Sequence, residues 1–424
     1  MYFLCYAFKT RMITYRDIHM EKRLYKYLVW FIVTLYVVYA FSLNTAAAVF
    51  SNAIKATLGA SDLQASLATG AFILGFACMQ IPAGYLLDKF NAKYIVSLGV
   101  FLLAAGNCVT SISTNLFLFT LSNLLQGIGA SFSFVAAAVL IAQWFKENNF
   151  PILFGLTQTL SCIFAGILHY YFIVALESYS WGFIFKELAI SGFILFVLVL
   201  VFVKSPAGYV NKKPISFNQS LSLTLGNRQI LLCSVAAAAS FGVLLAYAGF
   251  WYSSVRAFYS VDKLDAAITS GVIFVGIGIG TPLLGWFSNL AKSRVMVIHL
   301  SLVLGTMALL LDLYLPHFQI NTLIFTEITS FLTGFFLSGS MLFYTVVSEI
   351  ADNQTRGVAI SLLNTSVFLF NTLMLFIPYL FITAISKQFF TYLWVLPFST
   401  MFSILIVYFI SEPKILGENS KISA

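Results

Sequence analysis

The chain has 424 residues, of which 60% are hydrophobic and only 9% charged, and its formal net charge is +8. A soluble domain carries about 25% charged residues, so this composition excludes a water-soluble protein and describes an integral membrane one. The basic surplus does not call for nucleic acid, because topology accounts for it. With the amino terminus inside, 18 Lys and Arg residues fall on the cytoplasmic side and 4 (Lys55, Arg256, Lys263 and Lys387) on the other, with Lys186 near a helix end. That imbalance predicts cytoplasmic termini.

In chain order, residues 1–26 read as a cytoplasmic tail. Residues 1–19 lack the apolar run and cleavage site of a signal peptide, and Met20, followed at once by the basic EKRLYK, is a second place where translation could start. Six apolar runs follow near 27–51, 62–87, 94–113, 117–143, 151–173 and 182–204. A polar connection, Ser205 to Asn227, carries Pro206, Gly208, Lys212, Lys213 and Pro214. Six more runs come near 229–253, 264–290, 294–314, 321–347, 357–384 and 389–411, before a second tail at 412–424. About 20 helical residues cross a hydrocarbon core of roughly 30 Å. The expected fold is therefore all-α and integral to the membrane: twelve transmembrane helices in two six-helix halves, 27–204 and 229–411, joined by a cytoplasmic linker at 205–228. No connection is long enough to hold a soluble domain, so function has to be sought in the helices.

Between the second and third runs lies GYLLDKFNAK, Gly84 to Lys93, a charged hairpin between two apolar stretches. It returns as GWFSNLAKSR at Gly285 to Arg294, with Gly84 matched by Gly285, Asp88 by Asn289 and Lys93 by Arg294 at one common spacing. Such self-similarity marks two parallel halves, a construction used by a large class of carriers.

From Tyr27 to Ile410 the chain resembles the major facilitator superfamily. GYLLDKFNAK looks like that family's most diagnostic loop, with Gly84, Asp88, Lys89 and Lys93 matching it. Asn91 stands where Gly is usual, and Asn tolerates the left-handed turn that a Gly provides, so Asn91 is expected in that conformation. QGIGA, Gln126 to Ala130, is similar to the family's helix-4 signature, but Asn123 replaces an Arg associated with proton coupling. The Gly-Pro pair typical of helix 5 in drug/proton antiporters is missing from Phe154 to Tyr171. The resemblance implies that helices 1, 4, 7 and 10 line a central cavity, that helices 3, 6, 9 and 12 stand outside it, and that the halves rock about a midplane site.

The resemblance also points Asp88 at helix 11, whose positive end opens near Arg356. Gly84, Asp88, Lys89, Lys93, Gly285, Asn289, Arg294 and Arg356 are the candidate gate. Candidates for cargo binding or coupling are Asn44, Asn123, Gln126, Tyr247, Trp251 and Tyr344 in the cavity helices, with Gln158 and Asn371 from helices 5 and 11. Each could equally be interhelical glue. Glu327 is the one carboxylate inside the apolar run of a cavity helix, and hence the candidate proton carrier. Asp312 and Glu187, on helices 9 and 6, read as structural.

The four histidines are scattered, and no Ser/His/Asp set, HExxH or GxxxxGK[ST] occurs. The five cysteines have no paired or metal-ligand spacing. No enzyme, metal or other cofactor is expected. The expected function is secondary active transport of a small solute by alternating access, as proton-coupled uptake. Efflux of drugs or metabolites, and a transporter-like receptor that senses a ligand without moving it, stay open. The expected setting is a bacterial inner membrane, multi-pass, with the chain a monomer in lipid and a solute and a proton as its partners.

Overall fold

The computed structural model describes residues 24–43, 49–50, 53–206, 215–252, 255–256, 259, 263–318, 322–381 and 392–413. Among them, 11 helices are long and apolar enough to cross a membrane, and Val395–Val407 is apolar but shorter. The first half holds α1 (Leu24–Leu43), α2 (Asp62–Lys89), α3 (Ala92–Ser111), α4 (Leu116–Trp144), α5 (Phe150–Ser178) and α6 (Trp181–Phe202). The second half holds α7 (Arg228–Gly249), α8 (Lys263–Leu290), α9 (Arg294–Tyr314), α10 (Leu323–Ile350), α11 (Arg356–Phe381) and α12 (Val395–Val407). In the connection between the halves, Phe217–Gly226 forms a short helix.

Hydrocarbon offers the backbone no hydrogen-bond partners, so a helix that satisfies itself internally is the form these apolar runs take. Their ends are set by polar caps. Ser61 and Gln64 form a reciprocal capping box at the start of α2, and Asn115, Ser180 and Ser293 cap α4, α6 and α9. Asn91 departs from expectation. Its φ is −62°, an extended conformation, and its side chain caps α3 by accepting from the Lys93 amide at 3.0 Å. A capping Asn needs no left-handed backbone, which is why the missing Gly is tolerated here. The left-handed residue lies in the other hairpin, at Lys292, with φ 52°.

The two halves repeat one packing plan. α2 lies on α4 and α3 lies on α4 and α6; in the same way α8 lies on α10 and α9 lies on α10 and α12. Small residues let these backbones approach. A Cβ on Gly127 of α4 would collide with the Phe72 carbonyl of α2, and one on Gly334 of α10 with the Ile273 carbonyl of α8. Dispersion at such contacts holds membrane helices together, since lipid is as apolar as the helix surface. Outward stripes remain exposed at helical spacing, Ile190, Ile194, Val197 and Val201 on α6 and Phe398, Phe402 and Leu405 on α12, which suits a lipid-facing surface. Across the halves, α2 packs on α11 and α5 on α8. Both hairpins lie at one end of the bundle, the hairpin face.

Candidate functional site

The α2–α11 seam is an antiparallel ladder. On α2, residues 76, 80, 84 and 88 recur every fourth position and therefore share one face. Asp88 makes the outermost rung: its Oδ1 accepts from the Gly357 amide at 2.7 Å and its Oδ2 from the Val358 amide at 3.0 Å. These amides belong to the first turn of α11, where N–H groups lack intrahelical partners and the helix dipole favours an anion. Next inward, Gly84 allows the closest approach: a Cβ there would collide with Ser361 Oγ and the Gly357 carbonyl. At the third rung, Asn364 Nδ2 donates to Gln80 Oε1 at 3.0 Å while its Oδ1 accepts from the Tyr344 hydroxyl at 2.6 Å. Phe76 and Phe368 close the ladder edge-to-face, ring centres 4.9 Å apart. At 1.5 Å per residue the ladder runs about 18 Å from the hairpin face, a little past the middle of a 30 Å core.

The α5–α8 seam is its counterpart. Asn289 Nδ2 donates to the Asn148 carbonyl at 2.7 Å, and Thr281 donates to the Gly155 carbonyl at 3.2 Å. Gly285 lies against Pro151, where a Cβ would come within 2.9 Å of the Pro151 carbonyl. Arg294 organises this corner: Nη1 donates to Ser288 Oγ at 2.7 Å and Asn289 Oδ1 at 2.5 Å, and Nη2 pairs with Glu349 at 3.1 Å. Here Asn serves where Asp does in the first hairpin, because the partner is a carbonyl and only an amide can donate to it.

Both hairpins thus reach the opposite half, which places Gly84, Asp88, Gly285 and Asn289 at the seams, while Arg294 holds Asn289 from within the second half. Arg356 opens α11 and ties it to α10, its Nε donating to the Ser348 carbonyl at 3.0 Å. Lys89 lies over the rings of Tyr85 and Phe90, each 5.3 Å away, and Lys93 over Tyr94 at 5.9 Å.

The cargo and coupling candidates do not converge on one point. Asn123 donates to the Phe119 carbonyl of its own helix at 2.9 Å, and Gln126 to Thr110 of α3 at 2.6 Å. Gln158 donates to Cys162 Sγ at 3.3 Å, and Trp251 to the Met374 carbonyl at 3.0 Å. Tyr344 alone of them stands between the halves, packed on Phe134 and Phe154 at 5.5 and 5.3 Å. Asn371 is half-buried, with an Oδ1 that has no partner. Glu327 is half-exposed in the second turn of α10. Asn44 lies outside the described residues.

Two sets escaped the sequence reading. The Gln80 rung was signalled by its spacing, one turn before Gly84. The other set surrounds Asp312 on α9. Its Oδ1 pairs with Arg256 Nη2 at 2.5 Å and accepts from Thr329 at 2.8 Å, and its Oδ2 accepts from Tyr247 at 2.7 Å. Ser330 bonds both oxygens, at 3.0 and 3.2 Å. Asp312 was read as a scaffold residue and Arg256 as an outer loop charge; no spacing signal links them, since they are far apart in sequence.

A family model described as Major Facilitator Superfamily matches residues 32–370. Among curated relatives, "Multidrug resistance protein MdtL" of Shewanella oneidensis is 25% identical over 151 residues, 36% of this chain and 38% of that one. The Escherichia coli O81 protein of the same name is 24% identical over 197 residues, 46% of this chain and 49% of that one. The matched stretch thus spans half or less of those relatives' length. Among solved structures, the proton:xylose symporter XylE, bound to 6-bromo-6-deoxy-D-glucose, superposes with a TM-score of 0.74 at 15% identity, over 93% of this chain and 98% of that one. The E. coli fucose:proton symporter FucP gives a TM-score of 0.65 at 17% identity, over 90% and 99%. The two solved structures are of transporters, and this chain shares their fold over nearly its whole length. With its hairpin repeat and two halves of one packing plan, and a family match that covers most of its length, the chain belongs to the Major Facilitator Superfamily.

Proposed function

We propose that this protein is a secondary active transporter that takes up a small solute by alternating access, driven by a proton. The observation that carries this reading is the ladder. Two packed halves meet along seams that close one face, through a few polar contacts and glycine approaches that a rocking motion can part. Such seams suit two discrete arrangements. The basic residues gather on the hairpin side, so that face is assigned to the cytoplasm and the structure to the state closed toward it. A carboxylate on a cavity helix is expensive in hydrocarbon unless it faces water or a partner. Glu327 is therefore the proposed proton carrier, and the likeness to two proton symporters is consistent with that coupling. The partial likeness to MdtL favours a second reading, efflux, which runs the same cycle in the other direction.

Uptake by a deletion strain across amino acids, peptides, organic acids and sugars, beside its susceptibility to a drug panel, separates the two. Uptake that falls with the deletion supports import, whereas drug sensitivity that rises with it supports export. Once a cargo is found, Glu327→Gln keeps shape and hydrogen bonding but removes the titration. It should abolish accumulation against a gradient while sparing solute-for-solute exchange. A Gln variant that still accumulates cargo in a pH-dependent way would remove Glu327 from the coupling role.

A further inference from the structure

The third rung of the α2–α11 ladder joins the two halves through amides that are not fully used. Gln80 of the first half is completely buried and accepts from Asn364 Nδ2 of the second at 3.0 Å, while its own Nε2 has no hydrogen-bond partner. One rung outward, Ser361 Oγ faces Gly84 and has none either. Turning both amides over keeps the rung, with Tyr344 then accepting from Asn364, and still leaves one polar atom of Gln80 over. A contact that served only as glue would be expected to pair its groups, because a buried donor without an acceptor is costly. Gln80 lies inward of Asp88 by about 12 Å of helix, which sets the rung near the middle of a core roughly 30 Å thick.

Rocking acts on this rung directly. When α2 and α11 part, Gln80 and Asn364 lose one another and face the space that opens between the halves, one amide on each wall. Each then needs a new partner, and the surroundings narrow what that partner is. α2 from Ala68 to Leu87, the whole of α4, and α11 from Gly357 to Phe381 carry no Asp, Glu, Lys, Arg or His. The α10 carboxylate nearest Tyr344 in sequence, Glu349, is taken by Arg294. A charged solute would stand there uncompensated, which is costly away from water. An uncharged solute with hydroxyl or amide groups matches what Gln and Asn present, a donor and an acceptor side by side. Tyr344, bonded to Asn364 at 2.6 Å and packed on Phe134 and Phe154 of the first half, adds an aromatic wall beside the amides for the apolar side of such a solute.

We propose that Gln80 and Asn364 contact the cargo from opposite halves in the state open to the hairpin face, and that the cargo is an uncharged solute recognised through hydroxyl or amide groups. In the closed seam the two amides hold each other; in the parted seam they hold the solute. This rests on the transport reading above and adds to it the chemical class of the solute.

The test uses purified full-length protein in detergent and reads the shift in its melting temperature over a concentration series of each probe. The uncharged probes are glucose, mannitol, uridine and nicotinamide, each beside an analogue that has lost hydrogen-bonding capacity: 2-deoxyglucose, 1-deoxymannitol, 2′-deoxyuridine and N,N-dimethylnicotinamide. Lactate, glutamate and choline are the charged probes. At least one uncharged probe should bind the wild type more tightly than its analogue does. Asp88→Ala, which loosens the seam without touching the rung, should tighten binding of probe and analogue by one common factor, because a population shift scales every affinity alike. Gln80→Ala should instead shrink the preference for the probe over its analogue about tenfold, the loss of one hydrogen bond that the analogue does not make. Should Gln80→Ala fail to fold, the double variant Gln80→Met with Asn364→Leu fills the rung with apolar groups of similar size and should lose the preference too. A preference that survives in the variant that folds overturns the assignment, as do an Asp88→Ala protein that binds more weakly than the wild type and a wild type that responds to none of the probes. Stabilisation by the charged probes alone overturns the uncharged class while leaving transport standing, since transport is read separately in the deletion strain.

Discussion

Gly84→Val should abolish net transport by holding the hairpin face open, without unfolding either half. The site has no room for a side chain, since even a Cβ would collide with the Gly357 carbonyl and with Ser361 Oγ. A backbone carbonyl cannot rotate away as a flexible side-chain tip can, so α2 and α11 must move apart to admit the valine. Overpacking typically costs about 1–3 kcal/mol. That penalty is felt only where the seam is closed, so it converts into a shift of about 5- to 150-fold toward the parted state. Packing within the halves, such as α2 on α4 through Gly127, is not touched. The variant should elute and show far-ultraviolet dichroism like the wild type while its transport rate collapses. Transport at the normal rate would mean that the α2–α11 seam does not need to close during the cycle.

Asp88→Ala reaches the same seam by chemistry instead of volume. It removes both acceptors of the Gly357 and Val358 amides and leaves the first turn of α11 to water. Hydrogen bonds to a charged group contribute about 1.5–3 kcal/mol each when shielded and less at a half-exposed position. A net loss of about 2 kcal/mol corresponds to roughly 30-fold in the open-to-closed ratio. Asp88→Asn keeps one acceptor and should fall between the two. The ladder's outermost rung lies well away from the midplane, so cargo affinity should change only as far as the populations do, while transport rate falls. A direct change in affinity at fixed conformation, measured on a cross-linked protein, would move Asp88 from the gate to the cargo site.

The reach of the sequence can be judged from these same residues. Asp88 was legible because a charge between two apolar runs marks a membrane surface, and because the hairpin around it repeats. Its partner helix came only from the family resemblance. The Gln80 rung was legible in principle, since residues 76, 80, 84 and 88 share a face. Its pairing with Asn364 depends on the register of two helices that no local pattern sets. Asn91 shows a residue type read for backbone freedom that turned out to be a cap, a role that Asn also favours. Asn123 and Gln126 lie on the expected helix, but an amide's rotation about the helix axis decides whether it faces a cavity or a neighbour, and both face their own half. Arg256 was hidden by a boundary. The apolar run of α7 ends near residue 253, so the charge just beyond it reads as a loop residue, whereas Val255 and Arg256 are helical and the Arg256 side chain is buried.

The measurement that tests alternating access most directly is a pair of spin-label distances in the liposome-reconstituted protein, one across the hairpin face between the ends of α2 and α11, the other across the opposite face. The wild type should show a dominant short distance at the hairpin face, and Gly84→Val should lengthen it while shortening the distance across the opposite face. Hairpin-face and opposite-face distances that stay fixed in the wild type and in Gly84→Val, or that lengthen together, would contradict two halves rocking about a central site.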